Sequence, residues 1–226
     1  MASLWHAGAQ LTRADIFGRA DPLRPGYDTL SNSIVEQVSV PAMGMVGAAY
    51  LPSSLSFVSV NPAGGKRGAK SSPADDELYR MVEQLRDAKD ESSQVNSFED
   101  LASSFTASMP TWTIWRQYID PVLAAISKTL EECAYLYLVP FRTRGDTGST
   151  MPEQFAAAGY ARHLYRQLQL LRPGLIIAMD RLSERYALKW AAEQANQPVV
   201  FYFTRKRDAH AERKLLLAEI RNRFGA

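Results

Sequence analysis

The chain has very few of the residues that build metal and thiol chemistry. It contains a single cysteine, Cys133, in 226 residues. One cysteine excludes an intramolecular disulfide and argues against a cysteine-bound zinc or iron–sulfur site. The three histidines, His6, His163 and His210, do not stand at metal-ligand spacing. The sequence therefore predicts no metal, no iron–sulfur cluster and no other cofactor.

Long hydrophobic runs are also missing. The longest apolar runs fall far short of a membrane span, and the first thirty residues lack the continuous apolar core of a signal peptide. We therefore expect a cytoplasmic protein with no membrane partner. The length and an apolar fraction of 46% fit one domain over residues 1–226 with a sizeable core.

Several familiar nucleotide and hydrolase motifs are absent. The glycine-rich stretch after residue 62 ends in Gly68-Ala69-Lys70-Ser71, which fails the spacing of a phosphate-binding P-loop. The chain has no G-x-G-x-x-G and no G-x-S-x-G nucleophile motif. These absences disfavour a nucleoside triphosphatase and a serine hydrolase.

Basic and acidic residues nearly balance over the whole chain, but the basic residues are unevenly distributed. The net formal charge is only +2, yet residues 205–223 hold seven basic side chains against three acidic ones. A second basic cluster comprises Lys66, Arg67 and Lys70. Clustered cations neutralise phosphates and release counterions. A solvated helix face explains the same charge pattern equally well, so charge alone leaves both interpretations open.

Four short runs rich in β-forming residues predict strands that are buried on both faces. They are Leu55–Val60, Ala134–Val139, Leu175–Met179 and Val199–Phe203. Helical patterns separate them, the clearest of which runs from Glu153 to Leu171. This alternation predicts an α/β fold, a three-layer α/β/α sandwich around a mainly parallel four-stranded sheet.

Two stretches do not fit the alternation of strands and helices. Residues 1–54 contain several prolines and predict an irregular N-terminal flank with one or two short helices. Residues 87–115 follow a predicted helix over residues 75–86 and begin with a polar stretch. That composition predicts a loop insertion, placed to act as a lid.

The residues that follow the predicted strands are the first candidates for a binding site. Ligands of open parallel sheets bind beyond the carboxyl ends of the strands. The first strand is followed by Asn61-Pro62 and two glycines, which let a ligand approach the backbone closely. After the second strand, Phe141 is placed to stack on a planar base, and Arg142 or Arg144 to hold a phosphate. A core phenylalanine beside two surface arginines explains this second pattern structurally.

The residues after the fourth predicted strand are strongly basic. Arg205, Lys206 and Arg207 stand just before a helix start, where phosphates bind well. His210 follows them and is a candidate acid or electrostatic partner. A lone histidine near a helix start is more often structural, so both roles stay open.

Taken in order along the chain, these strand ends resemble those of the uracil-DNA glycosylase superfamily. Residues 57–64 (FVSVNPAG) are similar to the first motif of its mismatch-specific and single-strand-selective members, a hydrophobic strand that ends in Asn-Pro-Gly. Residues 137–142 (YLVPFR) resemble the second strand and its exit. Residues 172–179 (RPGLIIAM) resemble the third strand after its basic-residue-proline turn. The likeness covers residues 55–224 through short motifs in a common order.

The resemblance implies a monofunctional DNA glycosylase. Such enzymes flip a nucleotide out of DNA into a pocket at the strand ends and hydrolyse its N-glycosidic bond, leaving an abasic site. The catalytic residue it implies is Asn61, which would orient the attacking water. His210, the histidine nearest the place of the last motif, is the second catalytic candidate. Because an amide is a poor base, positioning and electrostatics would supply most of the rate.

The resemblance also implies which residues contact DNA. The substrate-binding residues would be Pro62, Tyr137, Phe141 and Arg142. Arg205, Lys206 and Arg207 would hold the phosphates that flank the flipped base. Lys66, Arg67 and Lys70 are further phosphate-binding candidates because of their clustered charge.

Two departures from the superfamily pattern concern the base that is excised. Many relatives read uracil with an asparagine where this chain has Tyr137 or its neighbour Leu136, and neither side chain offers the amide pattern of donor and acceptor. The usual His-Pro-Ser motif is replaced by Thr204-Arg205-Lys206. We therefore expect a modified pyrimidine as substrate, for example the glucosylated hydroxymethylcytosine of phage DNA. Some superfamily members act as anti-phage defences of this kind.

Other functions also fit the sequence. An ordinary uracil repair glycosylase and a DNA-binding protein of the same fold without catalysis keep the nucleic-acid partner. A nucleoside-processing α/β enzyme would need the strand-end pocket but not the basic residues. An interaction module would use Asn61-Pro62 only as a turn. Steep salt dependence separates phosphate binding from the binding of a neutral nucleoside.

Overall fold

The hydrophobic runs and helical patterns of the chain alternate, and most become separate elements of an α/β fold. The computed structural model describes residues 44–47, 49–62, 77, 80–81, 83–84, 87–140, 151–206 and 208–225. The strands are β1 (Met45–Val46), β2 (Leu55–Ser59), β3 (Cys133–Tyr137), β4 (Leu175–Ala178) and β5 (Val199–Tyr202). The α-helices are α1 (Glu91–Ser108), α2 (Asp120–Ala125), α3 (Glu153–Gly159), α4 (Tyr165–Leu171), α5 (Arg181–Ala191) and α6 (His210–Phe224). Two 3₁₀ turns (Met109–Thr111 and Leu130–Glu132) and two π-helical turns (Trp115–Ile119 and Tyr160–Leu164) complete the described elements.

The strands form one sheet in the order β1-β3-β2-β4-β5. The last four strands in the chain are mutually parallel, with Phe57 of β2 opposite Tyr135 of β3 and Ile177 of β4. All four runs predicted as strands are therefore confirmed, and the predicted parallel sheet with them. The sheet has a fifth strand that was not predicted, because β1 lies in the flank expected to be irregular and pairs antiparallel with β3 over two residues. Two residues are too few to give a sequence pattern.

Helices cover both faces of the sheet, which confirms the α/β sandwich. On one face, α3, α4 and α5 bury residues such as Phe155, Leu168 and Trp190 against the sheet. On the other face, α2, α6 and the π-helical turn before α2 contribute buried residues such as Ile119 and Ile220. Full burial of an aliphatic or aromatic side chain stabilises a fold by about 1.5–3 kcal/mol. The two cores therefore hold the strand ends in fixed positions.

The predicted loop insertion over residues 87–115 is wrong. Most of this stretch is helical, since α1 spans Glu91–Ser108 and a 3₁₀ turn follows it. Asp90 stands just before α1 and accepts hydrogen bonds from the backbone N–H and the hydroxyl of Ser93, at 2.8 and 2.6 Å. Leu101 of α1 is buried. Polar composition suggested a loop, but a helix start with an aspartate cap tolerates the serines and asparagines that follow it.

The segment predicted as a single helix from Glu153 to Leu171 is helical throughout, but its pitch changes in the middle. The π-helical turn at Tyr160–Leu164 separates α3 from α4. A π turn shifts the residues after it around the helix axis. His163 and Gln167 are therefore buried, whereas Ala161 is exposed. The helix ends where predicted, at Leu171, and Arg172 after it has a left-handed φ of 47°.

No helix among the described residues is long and apolar enough to cross a membrane. Cys133 is buried at the start of β3, and burial raises the pKa of its thiol. The cysteine is therefore a packing residue and a poor nucleophile.

Candidate functional site

The order of the parallel strands creates one topological switch point. The chain leaves β2 for β3 on one side, and it later adds β4 on the other side. Ligands of open α/β sheets bind in the crevice outside the carboxyl ends of the two strands that flank such a point. Backbone pairing continues past the strands there, with Val139 N–H donating to Val60 O at 2.8 Å and Met179 N–H donating to Val58 O at 2.8 Å. The residues just beyond β2, β3 and β4 consequently stand side by side.

Asn61 and Pro62 occupy the central position of this edge, directly after β2. Asn61 is buried, with only 6% of its surface exposed, and Pro62 is buried too. Because proline fixes its own φ and restricts the residue before it, Pro62 limits the backbone freedom of Asn61. The sequence prediction that Asn61 lies at a strand end is therefore confirmed.

Asp180 holds the switch point together. It follows β4, and its carboxylate accepts a hydrogen bond from Val60 N–H at 2.8 Å. The same carboxylate caps α5 through the N–H and hydroxyl of Ser183, at 2.8 and 2.9 Å. Three accepted hydrogen bonds make Asp180 a structural link between β2, β4 and α5 rather than a base. Because Val60 precedes Asn61, this link also fixes the backbone that carries the amide.

Two tyrosines of β3 lie beside β2 on the sheet face that α6 covers. Tyr137 is opposite Ser59 in the register, and its ring meets that of Tyr135 edge to face at 5.3 Å. Burial raises the pKa of Tyr135 to about 12, partly offset by a hydrogen bond with Ser59 and by the charge of Arg205. Both tyrosines are buried. Tyr137 therefore packs within the core that α6 covers, next to the end of β2.

The residues after β5 bring a cation toward the same edge. Phe203 N–H donates to Ala178 O at 2.9 Å, so β5 ends beside β4. Thr204 is buried, Arg205 is half-buried and Lys206 is exposed. The backbone of Arg205 therefore lies just beyond the carboxyl end of β5, at the same edge of the sheet as Asn61.

His210 is the first residue of α6 and is exposed. Its Nδ1 lies 3.0 Å from a guanidinium nitrogen of Arg213. The structure thus associates His210 with Arg213, and it places the histidine outside the buried environment of Asn61. Its predicted catalytic role remains a prediction.

Six predicted site residues lie outside the described residues. They are Phe141 and Arg142 after β3, Lys66, Arg67 and Lys70 after β2, and Arg207 after β5.

Sequence reasoning missed part of the site. The bond from Asp180 to Val60 depends on strand order, which no local pattern encodes. Tyr118 and Arg213, which contact the backbone after β5, also gave no signal. The position of Arg213, one turn into the helix that follows the basic residues, is at most a weak sequence signal for this contact.

The geometry brings together a buried amide, a phenol and a half-buried cation at one sheet edge. Among the described residues no group of three or more histidine, cysteine or carboxylate side chains could hold a metal ion. The edge is suited to orienting a polar ligand and to stabilising negative charge, since Asn61 both donates and accepts and Arg205 is cationic. Comparison with models of known protein families finds no match, and comparison with curated proteins finds none either.

Proposed function

We propose that the protein is a DNA glycosylase that hydrolyses the N-glycosidic bond of a base flipped out of DNA. The observation that carries the proposal is the position of Asn61. A buried amide at the carboxyl end of the central strand, beside the switch point, is where an open α/β sheet binds its ligand. The Asn-Pro sequence at this point is also the residue pair on which the superfamily resemblance depends.

The chemistry at this edge requires an oriented water. In the proposed step the oxygen of water bonds to the sugar C1′, the C1′–N bond breaks with its electron pair going to the base, and one proton of the water is released. The amide of Asn61 would accept a hydrogen bond from that water and hold it on the sugar. Arg205 would stabilise the negative charge that develops on the departing base or on its flanking phosphate. Asp180 contributes by fixing the backbone at Val60.

Exposed cations support DNA as the partner. Lys206, Lys214 and Arg221 are exposed, and among the ion pairs within the described part of the chain none involves them. A cation without a carboxylate partner can neutralise a phosphate and release its counterion. A small nucleoside substrate would give these residues no role.

The base is proposed to be a modified pyrimidine. Tyr137 stands at the end of β3, next to the central strand, and it is one of the two residues, with Leu136, at which the resemblance would place the uracil-reading asparagine. A phenol cannot reproduce the paired donor and acceptor of an amide. It can stack on or donate to a base with a different edge, such as glucosylated hydroxymethylcytosine.

A base-release assay tests the proposal directly. The protein is incubated with duplex and single-stranded oligonucleotides that carry uracil, hydroxymethylcytosine or its glucosylated form, and alkali converts each abasic site into a strand break. We expect breaks at the glucosylated base and a loss of about 10²–10³-fold in rate for Asn61→Ala, the range for a lost oriented hydrogen-bonding group. Circular dichroism and the thermal midpoint verify that the variant is folded.

Asn222→Ala is the matched control. Asn222 is exposed and lies twelve residues after the start of α6, about 18 Å along a helix axis. Its rate should equal that of the unmodified protein. Breaks at uracil alone would overturn the modified-base assignment. DNA binding without any break would instead favour the non-catalytic binding protein.

A further inference from the structure

The backbone that carries Arg205 is held in place by hydrogen bonds to its carbonyls. We call residues 204–206 the β5 exit segment. Arg213, one turn into α6, donates from Nη1 to the carbonyl of Lys206 at 2.6 Å and to that of Thr204 at 3.4 Å. Tyr118 donates its hydroxyl to the intervening carbonyl of Arg205 at 3.4 Å. Three consecutive carbonyls are thus bound by two side chains from different elements.

Arg213 and Tyr118 also contact each other and the core. The guanidinium carbon of Arg213 lies 5.9 Å from the centre of the Tyr118 ring. That ring in turn meets the ring of Phe203, which is buried, edge to face at 5.9 Å. The β5 exit segment is therefore anchored to the second core through Tyr118 and to α6 through Arg213.

We propose that Arg213 is a positioning residue that fixes the β5 exit segment and so holds Arg205 at the strand ends. Its guanidinium is engaged with two carbonyls and with His210, so it is not a phosphate ligand. The proposal rests on the proposed function, because it takes a DNA phosphate or the departing base as the ligand of Arg205. Arg213 acts through Arg205, and it does not touch the substrate.

The same contact bears on the tautomer of His210. A guanidinium only donates hydrogen bonds, so the Nδ1 atom of His210, 3.0 Å from Nη2 of Arg213, must accept. The imidazole proton then resides on Nε2. Arg213 therefore selects one tautomer of the histidine and leaves its Nε2–H directed away from the guanidinium.

Lysine cannot replace arginine in this arrangement. An ammonium group is a compact point charge, whereas the planar guanidinium presents donors in a rigid fork. A lysine at position 213 keeps the charge but cannot bond two carbonyls and an imidazole together. The variant Arg213→Lys therefore tests whether Arg213 acts by fixing the backbone of the β5 exit segment or only by its positive charge.

Binding measurements provide the first test. The affinity for a fluorescein-labelled single-stranded oligonucleotide is measured by fluorescence anisotropy over a series of salt concentrations. We expect Arg213→Lys and Arg213→Gln to weaken binding about tenfold, a typical loss for a misplaced charge-assisted contact, and to add nothing in an Arg205→Gln background. Lys214→Gln removes an exposed charge from the same helix and should reduce affinity only about two- to threefold, with a shallower salt slope. Full affinity in Arg213→Lys would show that Arg213 acts merely as a charge. The same conclusion would follow if the affinity lost in the Arg213 variants added to the affinity lost in Arg205→Gln.

Measurements made without DNA test the positioning role of Arg213 independently of the proposed function. Nitrogen-15 spectra of the imidazole should show His210 with the proton on Nε2 in the unmodified protein and a mixed tautomer population in both Arg213 variants. Amide exchange at Ala209, whose N–H donates to Lys206 O at 3.3 Å, should accelerate in the same variants. If the unmodified protein fails to bind DNA, the proposed function fails while these spectra still decide the role of Arg213. Unchanged spectra and exchange would overturn the positioning role.

Discussion

At the scale of single residues, the two polar side chains of the switch point have different roles. Asn61 ends the central strand and has the chemistry to orient a ligand, whereas Asp180 uses its carboxylate to join β2 to the start of α5. Both are buried. The buried carboxylate is tolerated because all of its hydrogen bonds are satisfied within the protein.

Replacing Asp180 with alanine should destabilise the protein more than the loss of a helix cap explains. The substitution removes the cap of α5, which costs about 1 kcal/mol. It also leaves the buried N–H of Val60 without an acceptor, which costs about 1–3 kcal/mol more. We therefore expect the free energy of unfolding, measured with urea, to fall by about 2–4 kcal/mol.

Asp90 supplies the matched control for this prediction. It binds the N–H and hydroxyl of a serine three residues later in the same way, but it is exposed and no strand amide is among its described donors. Asp90→Ala should cost only about 1 kcal/mol. Equal losses in the two variants would mean that the bond to Val60 contributes nothing to stability.

Some residues of the candidate site could be predicted from the sequence, whereas others could not. Asn61 and Arg205 were predicted because each follows a recognisable strand, and strand ends of a parallel sheet share one edge. The link from Asp180 to Val60 and the contacts of Arg213 could not be predicted in the same way. Asp180 is 120 positions from Val60, and Arg213 is 9 positions from Thr204. The geometry of both contacts depends on strand order and on helix placement.

At the scale of elements, the close packing of α3 on the sheet depends on Gly159. A Cβ at this position would clash with the carbonyl oxygen of Leu138, just beyond β3. The φ of Gly159 is −59°, an ordinary helical value. Glycine is therefore required there for space and not for conformation.

Gly159→Ala should destabilise the protein. The helix gains about 1 kcal/mol in propensity, but the clash with backbone forces α3 away from β3 at a cost of about 1–3 kcal/mol or more. We expect a net loss of about 1–2 kcal/mol in urea unfolding. Ala157→Gly, at an exposed position of the same helix, isolates the propensity difference. A Gly159→Ala variant that is more stable than the parent would contradict the tight contact.

Elements were predicted from sequence with uneven success. The four parallel strands were correct because continuous apolar runs of five or six residues are typical of strands buried on both faces. Helix α1 was missed because its polar composition was given more weight than its Asp90 cap and the helical spacing of Val95, Phe98 and Phe105. The π-helical turn at Tyr160–Leu164 was missed because a helical pattern read at 3.6 residues per turn assumes regular pitch.

At the scale of the whole molecule, the π-helical turn places a titratable group in the core. His163 lies in this turn and is buried, with 4% of its surface exposed. Burial disfavours the imidazolium form and lowers the pKa of His163 to about 4. In the unfolded chain the same imidazole has a pKa near 6.5. The unfolded state therefore binds a proton that the folded state rejects.

This difference predicts acid sensitivity of the entire fold. Since the folded pKa of His163 lies below the unfolded one, its contribution to stability is fully present above about pH 6.5 and is lost as the pH falls toward 4. The loss is up to about 3 kcal/mol over that window, at about 1.4 kcal/mol for each pH unit. Urea unfolding at pH 7 and pH 4.5 should show that His163→Leu has a smaller pH dependence than the parent protein, whatever its absolute stability. Identical pH profiles for the parent and His163→Leu would mean that the buried imidazole is protonated in the folded protein.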